Sequence, residues 1–229
     1  MLKAWLEALW GLIYPRRCPG CGRATAADSH WCGTCLAAIL TPQYIQPQPA
    51  IFRALDGCWA ATNYTGRIRR LIRDMKFRRT QRQAAALAEL VERAAPVSGG
   101  GKEGFAVDVV VPVPLHRERY RERGFNQTAA IFRPWCRRRE LAWREALLRN
   151  RLTLPQWTLG MTARRQNITG AFTAARPEDI QNKNILLVDD ICTSGITLEE
   201  CAKVLKAAGA AQVMGFVLAS GAAASPANR

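Results

Sequence analysis

The chain has 229 residues, 48% of them hydrophobic, and a formal net charge of +15. That length holds one good-sized domain and a small module, and the apolar content excludes global disorder. Nearly all the excess charge lies in two stretches: 67–82, with eight Lys/Arg and one acid, and 116–151, with eleven Arg and four acids. Such localised charge is either a solvated face or a surface for an anion: a polyphosphate, a nucleic acid or an acidic membrane.

Residues Leu2, Trp5, Leu6, Leu9, Leu12 and Ile13 fall on one face of a helix. The spacing predicts that this face packs on the protein, with docking at a membrane surface as the alternative. Glu7 interrupts the stretch and no small-residue cleavage site follows, so it does not read as a signal peptide. No apolar run approaches the ~20 residues that span a bilayer, and no stable membrane insertion is expected.

Cys18-Pro19-Gly20-Cys21 and Cys32-Gly33-Thr34-Cys35 follow, two C-x₂-C pairs separated by ten residues. Two tight knuckles carrying four thiolates suit one tetrahedral ion with no open position, a structural Zn²⁺ site. Two disulfides are the competing reading and require an oxidising compartment. His30 lies between the pairs, but four sulfurs already complete the shell. Cys58, Cys136, Cys192 and Cys201 show no paired spacing and read as buried neutral thiols.

Pro42, Pro47 and Pro49 mark 41–56 as a linker or a loosely paired segment. Residues 57–64 read as a strand. Ile68, Leu71, Ile72, Met75 and Phe77 predict an amphipathic helix ringed by Arg67, Arg69, Arg70, Arg73 and Lys76. A second helix is predicted from about 81 to 95, then a loop over 96–104. That loop holds Gly99-Gly100-Gly101-Lys102, yet Glu103 stands where a P-loop needs Ser or Thr, and no apolar strand leads in. An ATP-binding P-loop is therefore rejected.

The next strand, 107–111, ends in Pro112-Val113-Pro114-Leu115, a rigid turn at a strand end. Residues 116–127 carry Arg117, Arg119, Arg121 and Arg123 before Gly124. They read either as a mobile basic loop that closes over an anionic leaving group or as an exposed helical turn with Arg–Glu pairs. A helix with Ile131, Phe132 and Trp135 follows, then a short strand at 146–148. Arg164 and Asn167 share a helix face before Gly170.

Ile185-Leu186-Leu187-Val188 then runs into Asp189-Asp190-Ile191-Cys192-Thr193-Ser194-Gly195-Ile196-Thr197. The pattern predicts a buried parallel strand, a turn, and a helix over 197–208. Ligands of such sheets bind beyond the carboxyl ends of the strands. Hydroxyls and free N–H groups of Thr193, Ser194, Gly195 and Thr197 at a helix N-terminus suit a phosphate. Carboxylates repel phosphate, so Asp189 and Asp190 make sense as acceptors for neutral hydroxyls. A sugar phosphate satisfies both halves. Strand 212–218 and an Ala/Ser/Pro tail complete the chain.

The string 188–197 resembles the phosphoribosyl-pyrophosphate (PRPP) loop of type I phosphoribosyltransferases. The four-Cys module, Ala61-Thr62-Asn63-Tyr64-Thr65-Gly66, Lys76-Phe77, Val111 to Leu115, Arg121 to Gln127, Arg164 to Phe172 and the Asp189-Asp190 loop narrow it. Their order is similar to the ComF/GntX family of phosphoribosyltransferase-like proteins. Two departures stand out: Arg78 follows Lys76-Phe77 where many relatives soon have glycine, and Ile196 replaces a usual small residue.

The resemblance implies an α/β fold, a phosphoribosyltransferase-like parallel sheet flanked by helices, over 46–220. A zinc module occupies 1–45, and 221–229 is a disordered tail. It implies a PRPP site made of Asp189, Asp190, Cys192, Thr193, Ser194, Gly195, Ile196 and Thr197, with Val113, Pro114 and Arg121 also binding PRPP. The basic segment maps onto Arg121, Arg123, Phe125, Asn126 and Gln127. Asp189, Asp190 and Arg123 would be catalytic, Mg²⁺ would enter with PRPP, and Cys18, Cys21, Cys32 and Cys35 would hold Zn²⁺. Family members are linked to competence, the handling of single-stranded DNA in the bacterial cytoplasm. The implied partners are therefore PRPP or a related sugar phosphate, single-stranded DNA, and DNA-uptake helicases or processing proteins. Two readings follow: a phosphoribosyltransferase with an unknown acceptor, or a non-catalytic PRPP sensor or DNA-binding adaptor.

Overall fold

The computed structural model describes residues 16–45, 52–77, 81, 83–95, 105–153 and 160–221. The apolar N-terminal face, the Gly-rich segment 99–102 and nearly all of the Ala/Ser/Pro tail lie outside the described residues. Among the described residues no helix is long and apolar enough to cross a membrane.

The second cysteine pair opens α1 (Gly33–Ile39), which leads into β1 (Leu40–Ile45). Next are β2 (Gly57–Asn63), α2 (Gly66–Phe77), α3 (Ala84–Ala94), β3 (Val109–Pro112), α4 (Arg117–Arg123) and α5 (Gln127–Arg138). The chain continues through β4 (Leu147–Arg149), α6 (Met161–Ile168), β5 (Phe172–Ala174), β6 (Asn184–Cys192), α7 (Ile196–Ala207) and β7 (Gln212–Ser220). A five-stranded sheet has the order β1-β2-β7-β6-β3, and β4 pairs with β5 in a separate ribbon. The contacts β2–β7, β7–β6 and β6–β3 are parallel, while β1 is antiparallel at the edge. This is the α/β sheet expected from the sequence.

The strand centres are apolar because helices cover both faces. On one face Ile131, Phe132 and Trp135 of α5 and Leu87 and Leu90 of α3 pack with Leu186, Val188 and Phe216. On the other, Leu198, Cys201 and Leu205 of α7 pack with Ile185, Leu187 and Val213. The helices that follow β3 and β6 thus go to opposite faces. That divergence opens a crevice between the carboxyl ends of the two strands.

One expectation is corrected, and two open alternatives are decided. β6 does not stop before the carboxylates. It runs on to Cys192 because Asp189, Ile191 and Cys192 pair with Val217, Ala219 and Ser220 of the buried β7. Residues 40–45 are a strand despite Pro42, since an edge strand tolerates a missing N–H, and the register with β2 shifts there, between Leu40 and Gln43. The basic segment is the helix α4 rather than an open loop. His116 caps it by accepting the Glu118 N–H at 3.3 Å, and Arg119 pairs with Glu122 at 2.8 Å. Gly124, at φ 80°, closes it through a 2.8 Å bond from its N–H to Tyr120 O.

Candidate functional site

The four cysteines converge first. Sγ atoms of Cys18, Cys21, Cys32 and Cys35 lie within 4.8 Å of one another, the size of a tetrahedral metal shell. Burial works against the Cys18 thiolate, but the N–H groups of Cys32, Cys21 and Gly20 outweigh it and hold Cys18 near 6. Burial and the three neighbouring sulfurs push Cys35 up to about 12. Four thiolates therefore need a cation among them. Gly20 is required here: a Cβ would sit 2.7 Å from Cys35 Sγ. This donor set fits Zn²⁺.

His30 is held by Glu89 of α3. Its Nδ1 lies 3.3 Å from Glu89, which also accepts its backbone N–H at 2.7 Å. Buried Trp31 donates Nε1–H to Ala86 O at 2.7 Å. Both contacts fix the cysteine module on α3.

The second site is the crevice. Asp189 and Asp190 are the last residues of β6 before its final dipeptide. Thr128 at the start of α5 donates its hydroxyl to Asp189 Oδ1 at 3.1 Å. Lys76 in the last turn of α2 places Nζ 2.6 Å from Oδ2 of buried Asp190. Burial, then the adjacent Asp190 charge, pushes Asp189 up to about 7, against the pull of Lys76, the Asp190 N–H and Thr128.

Beyond the carboxylates the chain turns through Thr193 and Ser194 into α7. Gly195 has φ 75°, and an added Cβ would lie 2.1 Å from the Phe52 ring. Only glycine fits both constraints. Gly195, the residue that opens α7, supplies no side-chain cap. Buried Glu199 sits one turn on and accepts from the N–H groups of Arg53, Ala54 and Leu55 at 3.0 to 3.2 Å. It holds that segment, and with it Phe52, against the turn.

On the β3 side the Val113 N–H bonds to Val188 O at 2.9 Å, so Val113 and Pro114 border the crevice. Asn126 donates to Val113 O at 3.4 Å and caps α5. Buried Gln127 accepts from Arg123 at 2.8 Å. Burial lowers the Arg123 guanidinium, and the nearby Asp190 charge opposes that shift. Phe125 is buried in the core, while Arg121 lies exposed on α4. Cys192 and Ile196 are buried, Ser194 and Thr197 are half-buried, and Thr193 is exposed.

Sequence reasoning missed Thr128, Glu199 and Arg149 as site residues, and took Lys76 only as part of a motif. Arg149 comes from the β4 ribbon. Its guanidinium donates to Thr153 and lies 5.4 Å from the centre of the Phe172 ring. Burial lowers it, Cys201 and Asp189 oppose that, and Arg119 and Arg123 add to it. Arg119, Arg123 and Arg149 therefore share one electrostatic neighbourhood with the Asp pair.

The phosphoribosyl transferase domain family matches residues 153–228, and the double zinc ribbon domain family matches residues 9–47. The DNA utilization protein YhgH of Salmonella typhimurium is 32% identical over 202 residues, 88% of this chain and 82% of that one. Its namesake in Escherichia coli K12 is 31% identical over 91% of this chain and 90% of its own. Competence protein F of Haemophilus influenzae is 31% identical over 49% of this chain and 50% of its own. Among solved structures, the glutamine PRPP amidotransferase of B. subtilis overlays at a TM-score of 0.38 and 19% identity. That overlay covers 61% of this chain and 26% of that one, too distant a likeness for residue-level argument. With a phosphoribosyltransferase-like sheet, a four-Cys ribbon and relatives alike along most of its length, the chain belongs to the ComF/GntX family of phosphoribosyltransferase-like proteins.

Proposed function

We propose that the crevice between β3 and β6 binds PRPP, and that the protein transfers ribose 5-phosphate from it to an acceptor during bacterial DNA utilisation. The observation that carries this reading is the pairing of two chemistries on one segment. Asp189 accepts the Thr128 hydroxyl and Asp190 is ion-paired with the Lys76 ammonium, and the N-terminus of α7, where Gly195 carries no side chain to cap it, follows within six residues. Ribose hydroxyls suit the first, and a 5′-phosphate suits the second.

The diphosphate would then lie toward Val113, Pro114, Arg123 and Arg149. Mg²⁺ would arrive with it as a hard cation held by phosphate oxygens and water, and would neutralise the leaving charge. In the step itself the ribose C1–O bond to diphosphate breaks, and its electron pair leaves with the diphosphate. The acceptor's lone pair then bonds to C1. Asp189 and Asp190 steady the positive charge that develops on the ring, and the arginines stabilise the departing diphosphate.

The DNA role is carried over from the names of the relatives, and a cytoplasmic location goes with it. Isotope-traced PRPP turnover, with a cell metabolite extract and single-stranded DNA offered as acceptors, tests the transferase reading. Pyrophosphate release with label in a new product supports it. Saturable PRPP binding without release in any mixture replaces it with the sensor or adaptor reading.

A further inference from the structure

α2 touches both sites. At its N-terminal end Arg67 Nη1 donates to Cys35 Sγ at 3.4 Å. At its C-terminal end Lys76 lies 2.6 Å from Asp190. Nine residues separate the two, about 13.5 Å along the axis and, at about 100° per residue, half a revolution around it. Ile68, Leu71, Ile72 and Met75 form the buried stripe between them. Arg67 and Lys76 therefore flank opposite edges of that stripe, one at each end. Both contacts are thus made by one helix.

The chemistry of each contact is specific. A Zn²⁺ with four thiolates carries a net charge of −2, and a guanidinium on one sulfur offsets part of it. Outer partners of this kind change metal affinity by about 10- to 100-fold when removed. Lys76 offsets the carboxylate charge at Asp190 and so lowers its neighbour Asp189.

We propose that α2 couples the zinc centre to the acidic pair. Arg67 positions the first turn on a zinc thiolate, and the helix thereby sets where Lys76 holds Asp190. Loss of Zn²⁺ from the four-Cys centre frees the first turn, and the carboxylates lose their cation. The proposal rests on the zinc assignment and requires no PRPP binding.

The test uses full-length, zinc-loaded protein at about 0.15 M salt, where charges further apart than about 8 Å are largely screened. Carboxyl-carbon NMR follows the titration of Asp189, which is faced by Asp190, Lys76 of α2, Thr128 of α5, Arg149 of β4, Cys58 of β2 and Cys201 of α7. Competition with a chromophoric chelator measures zinc affinity in the same samples. Lys76→Met is expected to raise the Asp189 midpoint. Arg67→Ala should weaken zinc by about tenfold or more and raise the same midpoint by a smaller amount. Chelation of the wild type should reproduce that rise. Arg67→Lys should restore much of both effects, and Arg70→Ala, which removes an equal charge from the exposed face of α2, should change neither. The coupling is overturned if Arg67→Ala weakens zinc but leaves Asp189 where it was, or if it leaves zinc affinity intact. Calorimetry with PRPP is a separate measurement, so a failure of the ligand reading would not be mistaken for a failure of the coupling.

Discussion

Thr128 donates its hydroxyl to Asp189 Oδ1 at 3.1 Å, and the same oxygen accepts the Asp190 N–H at 2.8 Å. One carboxylate oxygen is thus fixed from α5 and from its own strand.

The raised Asp189 has two consequences with opposite signs. The folded protein keeps this proton up to about 7, whereas the ordinary value is 3.8. Ionisation therefore costs stability as pH rises from about 4 to about 7. Binding of ribose hydroxyls to the carboxylate should instead strengthen over about pH 6 to 8, as the acceptor loses its proton. Urea denaturation over about pH 4 to 7 and calorimetry over about pH 6 to 8 check the two slopes, with Asp189→Asn expected to flatten each. A wild-type stability profile that matches Asp189→Asn at every pH would contradict the assignment.

Zinc should be present at one ion per chain after purification without chelator, held by Cys18, Cys21, Cys32 and Cys35. Its removal, or Cys35→Ser, should lower the melting temperature. A loss of ~3 kcal/mol corresponds to about 6–12 °C in a chain of this size. Metal analysis with thermal denaturation checks this, and a folded metal-free protein with two disulfides would reverse it.

Gly195→Ala places a Cβ 2.1 Å from the Phe52 ring at φ 75°. The backbone strain alone is expected to cost ~1–3 kcal/mol, with a further loss from the displaced ring. Phe52→Ala should relieve only the steric part. A double-mutant cycle separates the two effects, and additivity of the two substitutions would show that the ring does not press on this turn.

Much of this was legible in the sequence for identifiable reasons. The run Ile185 to Val188 has the unbroken apolar character of a doubly covered strand, and doubled C-x₂-C spacing has few meanings. The contact of Lys76 with Asp190 was not legible, because a salt bridge between elements distant in sequence leaves no periodic trace. α4 was ambiguous because its Arg and Glu residues satisfy a loop and a helix equally. Its caps, His116 and Gly124, decide for the helix. Pro42 masked β1, since its place at a sheet edge is a property of topology rather than of local sequence.

Single-stranded DNA should bind the exposed basic surface, which includes Arg69, Arg70 and Arg73 on α2 beside Phe77, itself 66% exposed. If about five phosphates are neutralised, affinity should fall about 100-fold between about 50 and 200 mM salt. Phe77→Ala should remove ~1–3 kcal/mol of base stacking. Fluorescence anisotropy with a labelled oligonucleotide measures both. Affinity independent of salt would mean that this charge serves another purpose.

The central claim is that the β3–β6 crevice holds PRPP with its ribose on the Asp pair and its diphosphate toward Arg123. Titration calorimetry with PRPP and with ribose 5-phosphate, both with Mg²⁺, tests it on three proteins: wild type, Asp189→Asn with Asp190→Asn, and Arg123→Ala. The double variant removes negative charge near a polyanion, so simple electrostatics would tighten binding. Loss of charged acceptors should instead weaken both ligands, by ~1.5–3 kcal/mol for each hydrogen bond lost. Arg123→Ala should weaken PRPP and leave ribose 5-phosphate nearly unchanged. Tighter PRPP binding by the double variant, or equal losses of both ligands in Arg123→Ala, would contradict this placement of the two ends.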